Sequence, residues 1–60
     1  MINHDKYKVV IREKATGKIL QESVVITGYD SWITACIQRD FIWDEYRGDK
    51  TVAEIKIEDA

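Results

Sequence analysis

The segment from Tyr29 to Gly48, YDSWITACIQRDFIWDEYRG, constrains the fold more than any other part of this chain. It is the only run long enough for a helix of several turns. It also carries both tryptophans, the only phenylalanine, the only cysteine and two of the three tyrosines. Because nearly all of the aromatic groups fall in this one segment, the flanking segments must assemble around it.

Polar signals at both ends of this segment predict a helix over about residues 30–47. Asp30 or Ser31 can act as the N-cap, because either side-chain oxygen can accept a hydrogen bond from a backbone N–H that the helix leaves unpaired. Gly48 is a typical stop signal. At about 100° per residue, one polar stripe is formed by Ser31, Thr34, Gln38 and Glu45. The apolar residues then spread over an arc much wider than one sheet face needs.

The segments on either side of the helix alternate between apolar and polar residues, as half-buried strands do. They predict strands at about residues 6–13, 18–27 and 51–57. Gly17 suits the left-handed position of a hairpin turn between the first two strands, and a right-handed crossover places the third strand beside the first. We therefore predict one α+β domain over residues 1–60, with order β-β-α-β and a three-stranded sheet (order 2-1-3) packed on one helix.

Matching of the apolar sides predicts the register of the first hairpin. Arg12 would face Ile19 and Ile11 would face Leu20, so that the apolar sides of the two strands coincide. In this register Glu22 lies opposite Val9, on the apolar side of the sheet. Its carboxylate would then either reach water at the edge of the sheet or contact a partner.

The net charge of −2 hides an uneven distribution along the chain. Residues 1–20 hold five Lys or Arg against two acids, whereas residues 21–60 hold four against nine. From position 40 onward the acids are Asp40, Asp44, Glu45, Asp49, Glu54, Glu58 and Asp59. Such a field repels nucleic-acid phosphates and attracts a basic protein surface. The alternative is an ordinary solvated face of a small soluble domain.

No enzymatic motif is visible in the sequence, and we expect neither catalysis nor a cofactor. One cysteine and one histidine cannot supply the ligands of a structural zinc site. We expect Cys36 to be a small core residue and His4 to be exposed. No apolar run approaches the roughly 20 residues of a membrane span, and the N-terminus lacks the apolar region of a signal peptide. We therefore expect a cytoplasmic protein that does not enter a membrane.

Protein binding is the class of function that the residues favour. A helix with more apolar surface than its sheet can cover usually pairs with a second copy or with another protein. Trp43 and Tyr46 are of the types most often found as interface anchors; alternatively, both cap the ends of a small core. The candidate partner-binding residues are Glu22, Asp40, Phe41, Trp43, Asp44 and Tyr46.

Two other functions stay open on the sequence alone. The first hairpin carries a basic cluster that offers a platform for nucleic acid, made of Lys6, Lys8, Arg12, Lys14 and Lys18. Against this, the outward residues lack interleaved aromatic groups for base stacking, and the net negative charge disfavours affinity driven by phosphate contacts. The second alternative is a purely structural role as a homodimeric subunit.

Several short features of the chain resemble the small phage-encoded inhibitors of uracil-DNA glycosylase typified by those of phi29-like phages. The features are the turn Gly17-Lys18, the helix residues Asp40-Phe41 followed by Tyr46 and Gly48, and the last strand from Thr51 through Ala53-Glu54-Ile55-Lys56. The resemblance implies a homodimer and an acid-flanked aromatic pocket that holds the DNA-intercalating loop of the enzyme, as a mimic of DNA. Phe41 and Tyr46 would line that pocket. The resulting hypothesis is a phage or mobile-element inhibitor of a host DNA-processing enzyme, acting through an acidic, aromatic surface.

Overall fold

The computed structural model describes residues 6–60, which form one open antiparallel sheet and one helix. The elements are β1 (Lys6–Glu13), β2 (Ile19–Glu22), β3 (Ile26–Thr27), α1 (Ser31–Glu45) and β4 (Ala53–Asp59). The predicted α+β class is confirmed. The first strand has the predicted bounds, and the helix begins and ends within two residues of the predicted positions.

Strand β1 lies at the centre of the sheet. β2 and β3 pair with one of its edges and β4 pairs with the other, all in antiparallel orientation. The predicted order 2-1-3 is confirmed, because β2 and β3 together occupy the place of the strand predicted over 18–27.

That predicted second strand is divided where Ser23 pairs with Val9. The Ser23 N–H donates to the Val9 carbonyl at 2.9 Å, and the Ser23 Oγ accepts from the Val9 N–H at 3.0 Å. The serine hydroxyl thus replaces a backbone acceptor of the ladder, a competition that is typical of Ser and Thr. The break between β2 and β3 follows from this hydrogen bond to a side chain. The pattern of apolar and polar residues in the sequence cannot predict such a bond.

The register of the first hairpin departs from the predicted one beyond its turn. Arg12 pairs with Ile19 as predicted, but an irregularity between Ile11 and Arg12 brings Ile11 opposite Gln21. The predicted pairing of Ile11 with Leu20 is therefore wrong. In a β-bulge, two residues of one strand lie opposite one residue of the other. The alternation of apolar and polar residues in the sequence does not reveal such a bulge.

This shift moves Glu22 to the other face of the sheet. Glu22 pairs with Val10, so the prediction that it lies opposite Val9 is wrong. Its carboxylate accepts a hydrogen bond from Lys8 Nζ at 3.1 Å on the face that the helix leaves open. Because a slip of one residue exchanges the two faces of a strand, one bulge is enough to explain the change.

The core lies between β1 and the helix. Its buried apolar residues are Val9, Ile11, Ala35 and Ala53, whereas Val10 is buried on the opposite, helix-free face of β1. Opposite β1, strand β4 sets Ile55 beside Ile11 and Ile57 beside Val9, and both β4 isoleucines are half-buried. Ala53, Ile55 and Ile57 therefore form the side of β4 that faces the core.

The helix packs on the sheet through small residues. Ser31 and Ala35 are 4% and 0% exposed, and their short side chains let the helix backbone come close to β1. Ile33 and Ile37 lie about 160° around the helix from them, and they are 61% and 62% exposed. Ser31, which the pattern assigns to a polar stripe, is therefore on the sheet-facing side of the helix.

The two ends of the helix also differ in detail from the sequence signals. Asp30 occupies the N-cap position, but its side chain makes no capping hydrogen bond. At the other end Tyr46 is the C-cap residue, and its N–H donates to the Trp43 carbonyl. Gly48 does not adopt a positive φ, so it is not the helix stop that the sequence suggested.

Candidate functional site

The side of α1 that faces away from the sheet forms one continuous surface. We call it the outer helix face, and its residues are Ile33, Ile37, Asp40, Phe41 and Asp44. Phe41 is 61% exposed, close to the values for Ile33 and Ile37. The prediction that the helix carries more apolar surface than its sheet can cover is confirmed. Isolated exposed apolar residues are normal, whereas a contiguous row of them is a candidate interaction surface.

Acidic side chains continue this apolar row toward the end of the helix. Asp40 and Asp44 follow Ile33 and Ile37 at helical spacing, and both are exposed. Glu45 adds a third acid to the last turn, which contains no basic residue. Since the C-terminal end of a helix already carries negative partial charge, these acids raise the energy of their own helix. A cationic group docked at this end would lower it.

One nearby cation partly offsets the charge. Arg39 Nε lies 3.3 Å from Asp40 Oδ1, but the Asp40 side chain remains 78% exposed. Exposed pairs of this kind contribute little, because water and salt screen them. The Asp40 carboxylate therefore stays accessible to a partner.

Trp43 and Tyr46 do not join the outer helix face. Their rings stack on each other with centroids 5.8 Å apart and planes 4° apart, and both residues are half-buried. Lys50 Nζ lies 5.4 Å from the centroid of the Trp43 ring, within the range of a cation–π contact. A Cβ on Gly48 would overlap the Tyr46 ring, so glycine leaves room for the stack. Trp43 and Tyr46, the two predicted interface anchors, thus pack on each other at the C-terminal end of α1.

The beginning of the helix is tied to the sheet by a second aromatic pair. Trp32 meets Tyr7 of β1 edge to face, with centroids 5.3 Å apart and planes 68° apart. Trp32 nevertheless remains 53% exposed. Edge-to-face contacts of this kind add stability beyond the area that they bury, so Trp32 positions the outer helix face relative to β1.

The remaining predicted site residue, Glu22, lies on the opposite side of the sheet. That side is a mixed-charge surface above Val10, made of Lys8, Arg12, Glu22, Glu54, Lys56 and Glu58. Arg12 donates to both carboxylate oxygens of Glu58, from Nε at 2.8 Å and from Nη2 at 3.0 Å. Lys8 pairs with Glu22, as described above.

The pairing of Lys8 and Arg12 with glutamates weakens the case for nucleic-acid binding by the first hairpin. The predicted platform uses Lys8 and Arg12, whose charges are matched here by glutamates. Arg12 Nη1 also donates to the Gly17 carbonyl at 2.8 Å, which holds the guanidinium against the hairpin turn. Cations already paired with carboxylates release few counterions from a phosphate backbone, so the arrangement disfavours nucleic-acid binding by this face.

Three groups in the described residues have pKa values moved by hydrogen bonds. The hydrogen bond from Arg12 lowers the pKa of Glu58 and raises that of Arg12. The Asp49 carboxylate accepts from the Thr51 hydroxyl at 2.6 Å and from the Thr51 N–H at 2.9 Å, and these bonds lower the pKa of Asp49. All three groups lie outside the outer helix face. Arg12 and Glu58 connect β1 with β4, and Asp49 stabilises the turn before β4.

The structure therefore brings together only part of the predicted site. Asp40, Phe41 and Asp44 share the outer helix face, whereas the Trp43–Tyr46 stack and Glu22 lie elsewhere. Sequence reasoning missed Ile33 and Ile37 as site residues. Their spacing of four, continued by Phe41, is the signal that could have identified them. Cys36 is half-buried at the flank of this face, and His4 lies outside the described residues.

Within residues 6–60 no group of side chains is arranged to hold a metal ion, and no helix there has the length and apolar character needed to cross a membrane. Comparison of the chain with protein-family models, with curated proteins and with solved structures found no match. The geometry of the surface is therefore the basis for the functional proposal.

Proposed function

We propose that this chain is a small, cytoplasmic, non-enzymatic protein-binding module that holds a basic amphipathic segment of another protein on its outer helix face. The observation that carries the proposal is the row formed by Ile33, Ile37 and Phe41, each more than half exposed. A domain of this size has little apolar surface to spare. Leaving three large side chains in water forgoes stability that burial against a partner would recover.

The chemistry of the partner follows from the acids on the same face. Asp40 and Asp44 would meet lysine or arginine side chains that flank an apolar ridge of the partner. Helices dock in this way when apolar anchors at i, i+4 and i+7 enter an apolar surface and charges pair at its rim. Opposite charge at the rim also speeds association and rejects acidic competitors.

A concrete version of this proposal is an inhibitor encoded by a phage or mobile element that blocks a host DNA-processing enzyme. Such enzymes present basic surfaces to DNA, and an acidic helix with exposed apolar side chains would compete for them. The resemblance to inhibitors of uracil-DNA glycosylase makes that enzyme the first one to assay. The acidic outer helix face supports this version, and Phe41 would be its apolar contact.

The partner chemistry is tested with two synthetic peptides. One is an amphipathic helix of leucine and lysine, and the other has the same composition in shuffled order. We expect the amphipathic peptide to bind and the shuffled peptide to bind much more weakly. Ile37→Ser should weaken binding by about tenfold, equivalent to about 1.4 kcal/mol. Calorimetric titration measures each affinity.

Matched variants separate the contributions of apolar and of charged side chains to peptide affinity. Val24 is 81% exposed and lies between β2 and β3, away from the outer helix face, so Val24→Ser should leave peptide affinity unchanged. Asp40→Asn combined with Asp44→Asn should weaken binding and reduce its dependence on salt. Equal affinity for both peptides, or equal loss from Val24→Ser and Ile37→Ser, would contradict the proposed face.

The inhibitor version has its own assay. Excision of uracil from duplex DNA by a purified bacterial uracil-DNA glycosylase is followed with increasing amounts of this protein. We expect the rate to fall, and the Asp40→Asn, Asp44→Asn double variant to inhibit less. An unchanged rate would refute this enzyme as the target and leave the peptide result standing.

A further inference from the structure

The outer helix face has a direction, because its acidic residues all lie toward one end of α1. Ile33 and Ile37 occupy the first half of the helix, Asp40 and Asp44 occupy the second half, and Phe41 extends the apolar row between the two acids. At about 1.5 Å per residue, the acids lie about 10 Å and about 16 Å along the axis from the level of Ile33. A partner that matches this face must therefore be apolar along its contact side and carry its cations toward one end.

The negative charge at that end is increased by the helix itself. The last turn of α1 contains no basic residue and holds Glu45 in addition to Asp44, beside carbonyl groups that already carry negative partial charge. The first turn contains no acidic residue, and only Asp30 at the N-cap precedes it. The two ends of the outer helix face therefore present very different electrostatic potentials to a partner.

The shape of the face suits a second helix. Ile33, Ile37 and Phe41 are spaced by four, so they form one continuous ridge along the surface of α1. The grooves beside such a ridge accept the side-chain ridge of another helix. A helical partner also brings a dipole of its own, so that its two ends interact differently with the acids of α1.

The orientation of such a partner follows from electrostatics. If it runs antiparallel to α1, its N-terminal end lies beside Asp40, Asp44 and Glu45. The carboxylates then attract the positive partial charge and the unpaired N–H groups of that end. If it runs parallel, its C-terminal carbonyl groups lie beside the same acids, which repel them.

We propose that the partner segment is a helix that docks antiparallel to α1 and carries its lysine and arginine residues in its N-terminal half. This inference rests on the proposed function, because it specifies the partner of the same face. The cations and the N-terminal end of the partner helix both face Asp40 and Asp44. Its apolar side continues through its C-terminal half and covers Ile33 and Ile37.

Two synthetic peptides of the same composition test the orientation. The lysine-first peptide is an amphipathic helix of about 14 residues, about 21 Å long, with leucines along one side and lysines only in its N-terminal half. The lysine-last peptide is the reversed sequence, and both have blocked ends. Calorimetric titration gives the ratio of their affinities for the unchanged chain and for the Asp40→Asn, Asp44→Asn double variant.

We expect the preference for the lysine-first peptide to be about fivefold smaller in the double variant than in the unchanged chain. Comparing the two ratios removes the effect of different helix content in the free peptides, because each free peptide is the same in both titrations. A ratio that is the same for the unchanged chain and the double variant would overturn the antiparallel orientation.

Removal of two acids from the other side of the sheet is the matched control. Glu22→Gln combined with Glu54→Gln changes the net charge by the same amount, but both glutamates lie on the helix-free face. This variant should keep the affinity ratio of the unchanged chain. An equal fall for both double variants would assign the preference to net charge and overturn the proposed orientation.

A spin label on the lysine-first peptide reports the orientation directly. A nitroxide at its N-terminal end should broaden the amide NMR signals of Asp44 and Glu45, and a nitroxide at its C-terminal end should broaden those of Ile33 and Thr34. The reverse pattern, or equal broadening at both ends of α1, would overturn the antiparallel orientation and leave the proposed binding of basic amphipathic segments standing. Failure of both peptides to bind would overturn the orientation and the proposed function together.

Discussion

Arg12 and Glu58 are joined by two parallel hydrogen bonds that cross the helix-free face of the sheet above Val10. Along the ladder, Val10 pairs with Lys56, and Arg12 and Glu58 stand on either side of that pair. Val10 is 0% exposed although no helix covers it. The aliphatic stems of long charged residues can shield an apolar side chain in this way while their charged ends stay in water.

The Arg12–Glu58 pair should make stability depend on acid. The pKa of Glu58 is lowered from its ordinary value of 4.5, chiefly by the Arg12 hydrogen bond. Its contribution is therefore fully present above about pH 4.5 and is lost as the pH falls through the folded-state pKa. Urea unfolding at pH 7 and pH 3 should show Glu58→Gln less stable than the unchanged chain at pH 7, with a smaller difference at pH 3.

Glu45→Gln is the matched control for that experiment, because Glu45 lies on the exposed end of α1 and makes no described ion pair. At pH 7, Glu45→Gln should not show the loss of stability that is expected for Glu58→Gln. If Glu58→Gln unfolds at the same urea concentration as the unchanged chain at both pH values, the pair does not stabilise the sheet.

Two isoleucines should respond very differently to truncation. Ile11 is 0% exposed, and Ile11→Ala should lower the free energy of unfolding by about 2–5 kcal/mol through lost burial and a new cavity. Ile37 is 62% exposed, and Ile37→Ala should change the free energy of unfolding by about 0.5 kcal/mol or less. Thermal unfolding followed by circular dichroism compares the two. A large loss from Ile37→Ala would place that residue in the core and remove it from the binding face.

The stack of Trp43 on Tyr46 should depend on the glycine at position 48. Gly48→Ala puts a methyl group where the Tyr46 ring lies, so the ring must move away from Trp43. We expect a shift in tryptophan fluorescence and a loss of about 1 kcal/mol, the usual worth of an aromatic pair. Arg47→Ala, one residue away and exposed, should leave the spectrum nearly unchanged.

Gly28 should tolerate substitution poorly because of its backbone conformation. It joins β3 to α1 with φ at 115°, outside the range of residues that carry a Cβ. Space is not the constraint, since no atom lies within 4 Å of a Cβ built there. Gly28→Ala should therefore cost about 1–3 kcal/mol through strain alone.

Gly17 provides the comparison for that prediction. Its φ of 78° is closer to the left-handed region that asparagine enters readily, so Gly17→Asn should cost less than Gly28→Ala. Chemical denaturation of both variants measures the difference. Equal losses would mean that the Gly28 conformation is not strained for other residues.

The elements of the fold could be predicted from local patterns. Alternation over residues 6–13 located β1, and the turn at Gly17 located the hairpin. The aromatic segment indicated the helix. These signals are local because strand and helix periodicities arise from backbone geometry within a few residues. The sheet order followed from chain connectivity and handedness, which also need no side-chain contacts.

The site was only partly predictable, because its composition depends on which side of α1 meets the sheet. The pattern showed that Ile33 and Ile37 share a side, but it could not show that Ser31 and Ala35 would be the side to pack. Nor could it show the bulge that turns Glu22 to the opposite face of the sheet. Both outcomes depend on contacts between residues far apart in sequence.

The sequence by itself determined the α+β class, the order of the elements apart from the division of the second strand, and the surplus of apolar groups on the helix. Only the tertiary structure decided that the surplus is exposed beside Asp40 and Asp44, while Trp43 packs on Tyr46. The physical reason is that periodicity specifies which residues share a face. The fit of side chains between helix and sheet selects the face that is buried.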